Sequence, residues 1–315
     1  MDATLIVVRA IHFASTAMTA GVLIFLTAVA DPVLRRKGAR EAQSRLRPQS
    51  LRIVWTALAL TLLSGAAWLL LQAAAMSGRP LAEAIADGVV LVVLGKTQFG
   101  MIASLRFALA MLLVVSLMIA RVRPWAWLVS AILAACLVAA IAWTGHAAGT
   151  VGTKAPIHLA SDALHLLAAA AWIGSLVPLG LLLRWARLKG GESGLSIAAQ
   201  AARRFSALGI ICVGVLLASG LVNSWILVGS VAGLIGTDYG WLVLAKVVLF
   251  AAMVSIAVVN RTRLTPRLFE PASSGMPVNA MRQLSRNITI EMILGLSIFA
   301  VVGVLGTLHP AIHLV

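Results

Sequence analysis

Charge is the commodity this chain has least of. Only 11% of its 315 residues are charged and ten are acidic, where a soluble domain keeps about a quarter charged. That excludes an ordinary water-facing surface wrapped round one core. There are two cysteines, Cys136 and Cys212, not spaced as CxxC. This excludes a disulfide framework and a thiolate metal knuckle, and small buried apolar residues is the plain reading of both. Also missing are a P-loop, a GxGxxG turn, a CxxCH haem attachment and a Ser-His-Asp arrangement. ATP-driven transport by this chain alone is therefore not expected, and neither is enzymatic catalysis.

Apolar residues fill the space that charge leaves. They make up 61% of the chain, and mean hydropathy is +1.01. Runs of about 20 apolar residues recur, the length that crosses about 30 Å of hydrocarbon as helix. They predict eight spans, near residues 4–29, 53–75, 91–120, 125–145, 158–183, 205–228, 240–260 and 286–309. The third is too long for one upright helix and is expected to tilt or to bend near Gly95. The first follows Met1-Asp2-Ala3-Thr4, with no basic stretch and no small-residue cleavage pattern, and reads as a retained span. The linkers leave no room for a soluble domain.

A formal charge of +15 is of the kind that nucleic-acid binding uses, but its placement argues against that partner. Arg35, Arg36, Lys37, Arg40, Arg45, Arg47 and Arg52 follow span 1, and Arg121 and Arg123 follow span 3. Arg184, Arg187, Lys189, Arg203 and Arg204 follow span 5, and Arg261, Arg263, Arg267, Arg282 and Arg286 follow span 7. The alternate linkers hold only Arg79 and Lys154. This alternation is the positive-inside pattern of an eight-span protein with both termini outside the cytoplasm.

The two halves of the chain echo each other. His12 precedes Gly21 by nine residues, as His165 precedes Gly174. Leu62-Leu63-Ser64-Gly65 answers Leu217-Ala218-Ser219-Gly220, and Leu94-Gly95-Lys96 answers Leu244-Ala245-Lys246. Trp143-Thr144-Gly145-His146 answers Gly306-Thr307-Leu308-His309. The expected fold is all-α, a polytopic membrane protein whose eight helices form two four-helix repeats, 1–145 and 146–315. Four spans per copy give both halves the same orientation, related by a pseudo-two-fold axis along the membrane normal.

All six histidines fall toward one side of the membrane. His146 closes span 4, and His309 and His313 close span 8. His158, Asp162 and His165 share one face of span 5 through i, i+4, i+7 spacing, with His165 about 10 Å deeper than His158. His12 lies at similar depth in span 1, with Arg9 one turn before it. An Arg9–Asp162 ion pair across the interface would reduce the cost of both charges. Imidazole is a common ligand for copper and zinc, and a carboxylate can orient its second nitrogen. The bland alternative is that terminal histidines sit at headgroup level. Lys96, Lys246, Arg106 and Glu291 are further intramembrane charges, readable as a translocation or proton path or as snorkelling and pairing groups. Asn223 reads as interhelical glue. Met18, Met76, Met101 and Met253 could add thioether ligands, though packing is the commoner use.

These residues resemble the copper resistance protein D family (CopD, PcoD) of bacterial copper handling. The resemblance rests on His158-Leu-Ala-Ser-Asp162-Ala-Leu-His165, Trp172-Ile-Gly174, Arg204-Phe205-Ser206 and Ser219-Gly220-Leu-Val-Asn223. Leu244-Ala-Lys246 through Asn260-Arg261 and Leu305-Gly306-Thr307-Leu308-His309-Pro310 complete it. It implies an inner-membrane protein of copper resistance or homeostasis that moves copper from periplasm to cytoplasm. It also implies a separate periplasmic copper-binding partner of the CopC type, besides the surrounding lipid. The copper residues it implies are His12, His146, His158, His165, His309 and His313. The alternative is a haem-b electron-transfer protein, with His12 and His146, or His165 and His309, as axial ligands.

Overall fold

The computed structural model describes residues 3–35, 39–189, 191–271 and 274–314. It is all-α, with no strand among those residues. Eight helices are long and apolar enough to cross a membrane: Ala3–Leu34, Arg40–Ser77, Gln98–Ile119, Ala126–Thr144, Gly152–Leu188, Gly191–Leu227, Asp238–Arg267 and Met276–Leu305. They are called spans 1 to 8 below. Helix satisfies every backbone group within the segment, which hydrocarbon demands. Several helices run beyond the apolar stretch of the sequence. Span 2 starts at Arg40 and span 6 at Gly191, so Arg45, Arg47 and Arg52 of the one and Arg203 and Arg204 of the other are helical ahead of the apolar stretch.

The long third run is interrupted near Gly95, by a break at Thr97 rather than a smooth bend. A short helix, Val89–Lys96, ends there. Thr97 is extended, at φ −115° and ψ 148°, and its Oγ1 accepts from the Gly100 N–H at 3.0 Å to cap span 3. The same hydroxyl donates to the Val93 carbonyl at 2.7 Å. A β-carbon on Gly100 would strike Val93, so the tight turn requires glycine. An identical device opens span 7. After Val231–Gly236, Thr237 accepts from Gly240 N–H at 3.0 Å and donates to the Gly233 carbonyl at 2.7 Å. Each is an N-cap that ends one helix and starts the next.

Spans 1 and 5 are the most enclosed, 72% and 67% buried, against 6% for span 7. They cross at Gly21 and Gly174. A β-carbon on Gly174 would come within 2.6 Å of the Ala17 carbonyl, and one on Gly21 would strike the Ala170 carbonyl. Close approach of this kind is the usual work of small residues between membrane helices. The Ser175 hydroxyl secures the crossing by donating to the Gly21 carbonyl at 3.0 Å.

Two π-turns precede prolines. Phe25–Ala30 comes before Pro32, and Asn260–Leu264 before Pro266. Proline lacks the N–H that an α-helical turn would use, so the ladder widens by one residue. In the second, the Thr265 N–H and its Oγ1, the latter at 2.8 Å, both bond the Asn260 carbonyl. On the arginine-rich side Asp31 ties Arg47 to the end of span 1 at 2.7 Å.

Candidate functional site

His165 is held at both ring nitrogens. The Ser219 hydroxyl donates to the Val215 carbonyl at 2.6 Å, so it accepts from His165 Nδ1–H at 2.9 Å. Lys246 has only protons to offer and lies 3.2 Å from Nε2. The network therefore assigns a neutral ring with its proton on Nδ1 and its Nε2 lone pair facing the ammonium.

His12 is held in the same way. Its Nδ1 donates to Ser64 Oγ at 3.0 Å, whose own proton goes to the Leu60 carbonyl. Its Nε2 accepts from the Arg106 guanidinium. Gly65 and Gly220, one residue after each serine, face the Cε1 atoms of these rings. The group that matches Lys246 is thus Arg106, nine residues after Thr97 as Lys246 is nine after Thr237. Lys96, which the Leu-Gly-Lys and Leu-Ala-Lys match pairs with Lys246, is exposed at the end of the short helix. The signal for the closer pairing was present in Thr97-Gln-Phe-Gly100 and Thr237-Asp-Tyr-Gly240.

Three of the six histidines open on one cavity of about 350 Å³. His146, His158 and His165 line it together with Asp162, Lys246 and Arg9. His158 is fully buried, with Nδ1 2.7 Å from Thr150 Oγ1. Asp162 accepts from the Asn223 amide at 3.3 Å. Met253, buried on span 7, presents a thioether to the same space. His146 packs edge-on against Tyr239 at 6.0 Å, and its Nε2 is 3.2 Å from the Leu305 carbonyl. Burial holds the His146 pKa below the usual imidazole value, and the charges of Arg9, His309 and His313 push the same way. The Leu305 carbonyl opposes them.

The other predicted residues lie elsewhere. His12 and Arg106 line a separate cavity of about 370 Å³ between spans 1, 2 and 3, with Trp68 and Phe99. His12 and His146 thus open on different cavities. His309 and His313 are exposed, do not line the cavity and lie within electrostatic reach of His146. No ion pair joins Arg9 to Asp162. Arg9 instead lies over the rings of Phe13 at 5.8 Å and Trp68 at 5.1 Å, and packs beneath Gly306. The cation–π contacts replace the expected carboxylate. Glu291 is buried on a cavity that no histidine lines, its Oε1 accepting from Asn260 at 2.7 Å. Among the described residues, no three His, Cys, Asp or Glu side chains are grouped closely enough to share one metal ion.

The missed partners are Ser64, Ser219 and Thr150. The two serines sat in the repeated Leu-Leu-Ser-Gly and Leu-Ala-Ser-Gly strings. Thr150 lies in a loop without periodicity, so nothing in the sequence pointed to it.

Comparison with known proteins gives a consistent picture. Residues 1–157 match the family description "Copper resistance protein D-like, N-terminal domain", and residues 199–305 match "Copper resistance protein D". The inner membrane protein YebZ of Escherichia coli K12 is 32% identical over 308 residues, 98% of each chain. Copper resistance protein D of Pseudomonas syringae pv. tomato is 31% identical over 191 residues, 60% of this chain and 61% of that protein. Copper transport protein CutJ of Bacillus subtilis 168 is 35% identical over 126 residues, 39% of this chain. The match spans only 22% of the Bacillus protein's length. No solved structure matches.

Proposed function

The chain belongs to the copper resistance protein D family, and from that premise we propose that it is a multi-pass inner-membrane protein that takes up copper through the His165 cavity. Copper homeostasis is the coarse role; the route is the finer reading. The carrying observation is that one cavity collects imidazoles, a carboxylate and a thioether, from His146, His158, His165, Asp162 and Met253. Imidazole and thioether suit copper, the thioether Cu(I) above all.

Copper is cargo here. His309, His313 and His146 receive it at the outer mouth, from a periplasmic carrier of the CopC type. His158 and His165 take it deeper. At His165 the one available lone pair is Nε2, and Lys246 occupies it. Binding is therefore an exchange of one cation for another, with the displaced ammonium drawn toward Asp162, which lines the same cavity. His12 is the fixed counterpart, since a guanidinium holds its direction through a rigid fork and does not give way as a flexible ammonium does. The matching contacts of His12 and His165 and the Gly21–Gly174 crossing support two like-oriented halves, 1–145 and 146–315. Basic linkers opposite the histidines support periplasmic termini and delivery toward the cytoplasm. Surrounding lipid is the only other partner required.

The test is metal analysis and the visible spectrum of the purified protein, beside His165→Ala. Copper bound by the parent and lost in the folded variant supports the reading. A Soret band with matching iron, or unchanged copper affinity in the variant, overturns it.

A further inference from the structure

A further cavity, of about 160 Å³, lies on the arginine-rich side of the second half and serves none of the chemistry above. Glu291, Asn260, Arg261, Ser206 and Trp172 are among its lining residues. Trp172, 2% exposed, also lines the His165 cavity, so one indole separates the two spaces.

The carboxylate of Glu291 is 1% exposed. Asn287 Nδ2 donates to Asn260 Oδ1 at 2.6 Å, which fixes the Asn260 amide so that its own N–H₂ points at Glu291 Oε1, 2.7 Å away. The π-turn before Pro266 puts Asn260 in this position. Oε2 is buried and makes no hydrogen bond of ordinary geometry, the Trp172 indole N–H being a weaker donor to this carboxylate. Arg261, the only other titratable group among the described residues that line this cavity, gives Nη1 to Ser206 Oγ at 2.9 Å. A buried carboxylate with one poorly satisfied oxygen and no cation is costly when ionised. Among the described residues Glu291 belongs to no group of three His, Cys, Asp or Glu that could hold a metal ion, and a proton needs only one oxygen. The cavity is large enough to bring water to that oxygen.

We propose that Glu291 is a proton-carrying carboxylate, oriented by Asn260 and Asn287, that exchanges its proton with water on the arginine-rich side, one indole away from the His165 cavity. In the step, a hydronium gives its proton to Oε2, leaving water and a neutral acid, and the reverse returns it. The copper reading enters only where this proton is linked to copper movement.

Infrared difference spectra of the detergent-solubilised full chain, without copper, test the carrier itself. The expected result is a protonated-carboxyl band that titrates with pH, shifts in D₂O and is absent in Glu291→Gln. Superimposable spectra of parent and variant overturn the proposal. Should Glu291→Gln not fold, Asn260→Ala serves instead. It removes a donor that favours the charged form, so the band's midpoint must rise, and an unmoved midpoint overturns the proposal equally. A protein that bound no copper would leave this test intact. In vesicles, a pH-gradient dependence of copper uptake must vanish in Glu291→Gln with copper binding unchanged. Retained dependence removes Glu291 from the coupling.

Discussion

The Lys246 ammonium lies 3.2 Å from Nε2 of His165, on the one nitrogen of that ring that a metal could use. A cation is thus already seated where the cargo would go. Opposed charges at such range are worth about 1 kcal/mol in water and about 4 kcal/mol in a site of intermediate polarity, and like charges repel as strongly.

Removing that cation should tighten copper binding. Lys246→Met is expected to raise the affinity at His165 by about fivefold or more, on the order of 1–4 kcal/mol. Competition against a coloured copper chelator reads this directly. An unchanged affinity would mean copper never meets Nε2.

Ser219→Ala takes away the acceptor that fixes the His165 tautomer. Outer partners of this kind typically contribute about 10–100-fold to metal affinity. Copper affinity should fall by that factor, while Ser64→Ala, acting on the Arg106-capped His12, leaves it near the parent value. Equal effects of the two substitutions would count against a distinct role for His165.

The crossing of spans 1 and 5 leaves no room for a side chain. Gly174→Ala places a β-carbon 2.6 Å from the Ala17 carbonyl, and overpacking of this sort costs about 1–3 kcal/mol. Thermal unfolding in detergent should show a lowered midpoint. Gly214→Ala, a position where a β-carbon meets nothing within 4 Å, is the control that should not move.

His146 should titrate below the ordinary imidazole range, because burial and the neighbouring charges disfavour its cation. In the unfolded chain the ring returns to about 6.5. Between the two values the unfolded state binds more protons, so His146 makes stability fall as pH drops below about 6.5. NMR of ring-labelled histidine checks the titration. Arg9→Gln should raise the midpoint part of the way only, since burial remains.

The depth of each span and the side on which basic linkers collect were written in composition, because hydrocarbon tolerates few charges and only closed hydrogen bonding. The recurrence of Ser-Gly strings and histidines was likewise visible along the chain. The pairing of Arg106 with Lys246 was marked only by the Thr-x-x-Gly strings nine residues before each, which hydropathy and periodicity pass over. It depends on Thr97 ending a helix inside one apolar run, and hydropathy does not register a cap. Arg9 shows the same limit from another side. Opposite charges on neighbouring helices suggested a salt bridge, yet Arg9 lies over the rings of Phe13 and Trp68 and pairs with no carboxylate among the described residues.

By itself, then, the sequence determined an all-helical membrane protein of eight spans, with its histidines gathered toward one face, because span length and charge exclusion act locally along the chain. Only the tertiary structure decided which histidines share a cavity, which cation caps each ring and that Glu291 keeps one oxygen poorly satisfied. Those relations join residues from 52 to 94 positions apart around His12 and from 54 to 81 apart around His165. They are set by how helices cross and rotate against one another, which no periodicity within a single helix encodes.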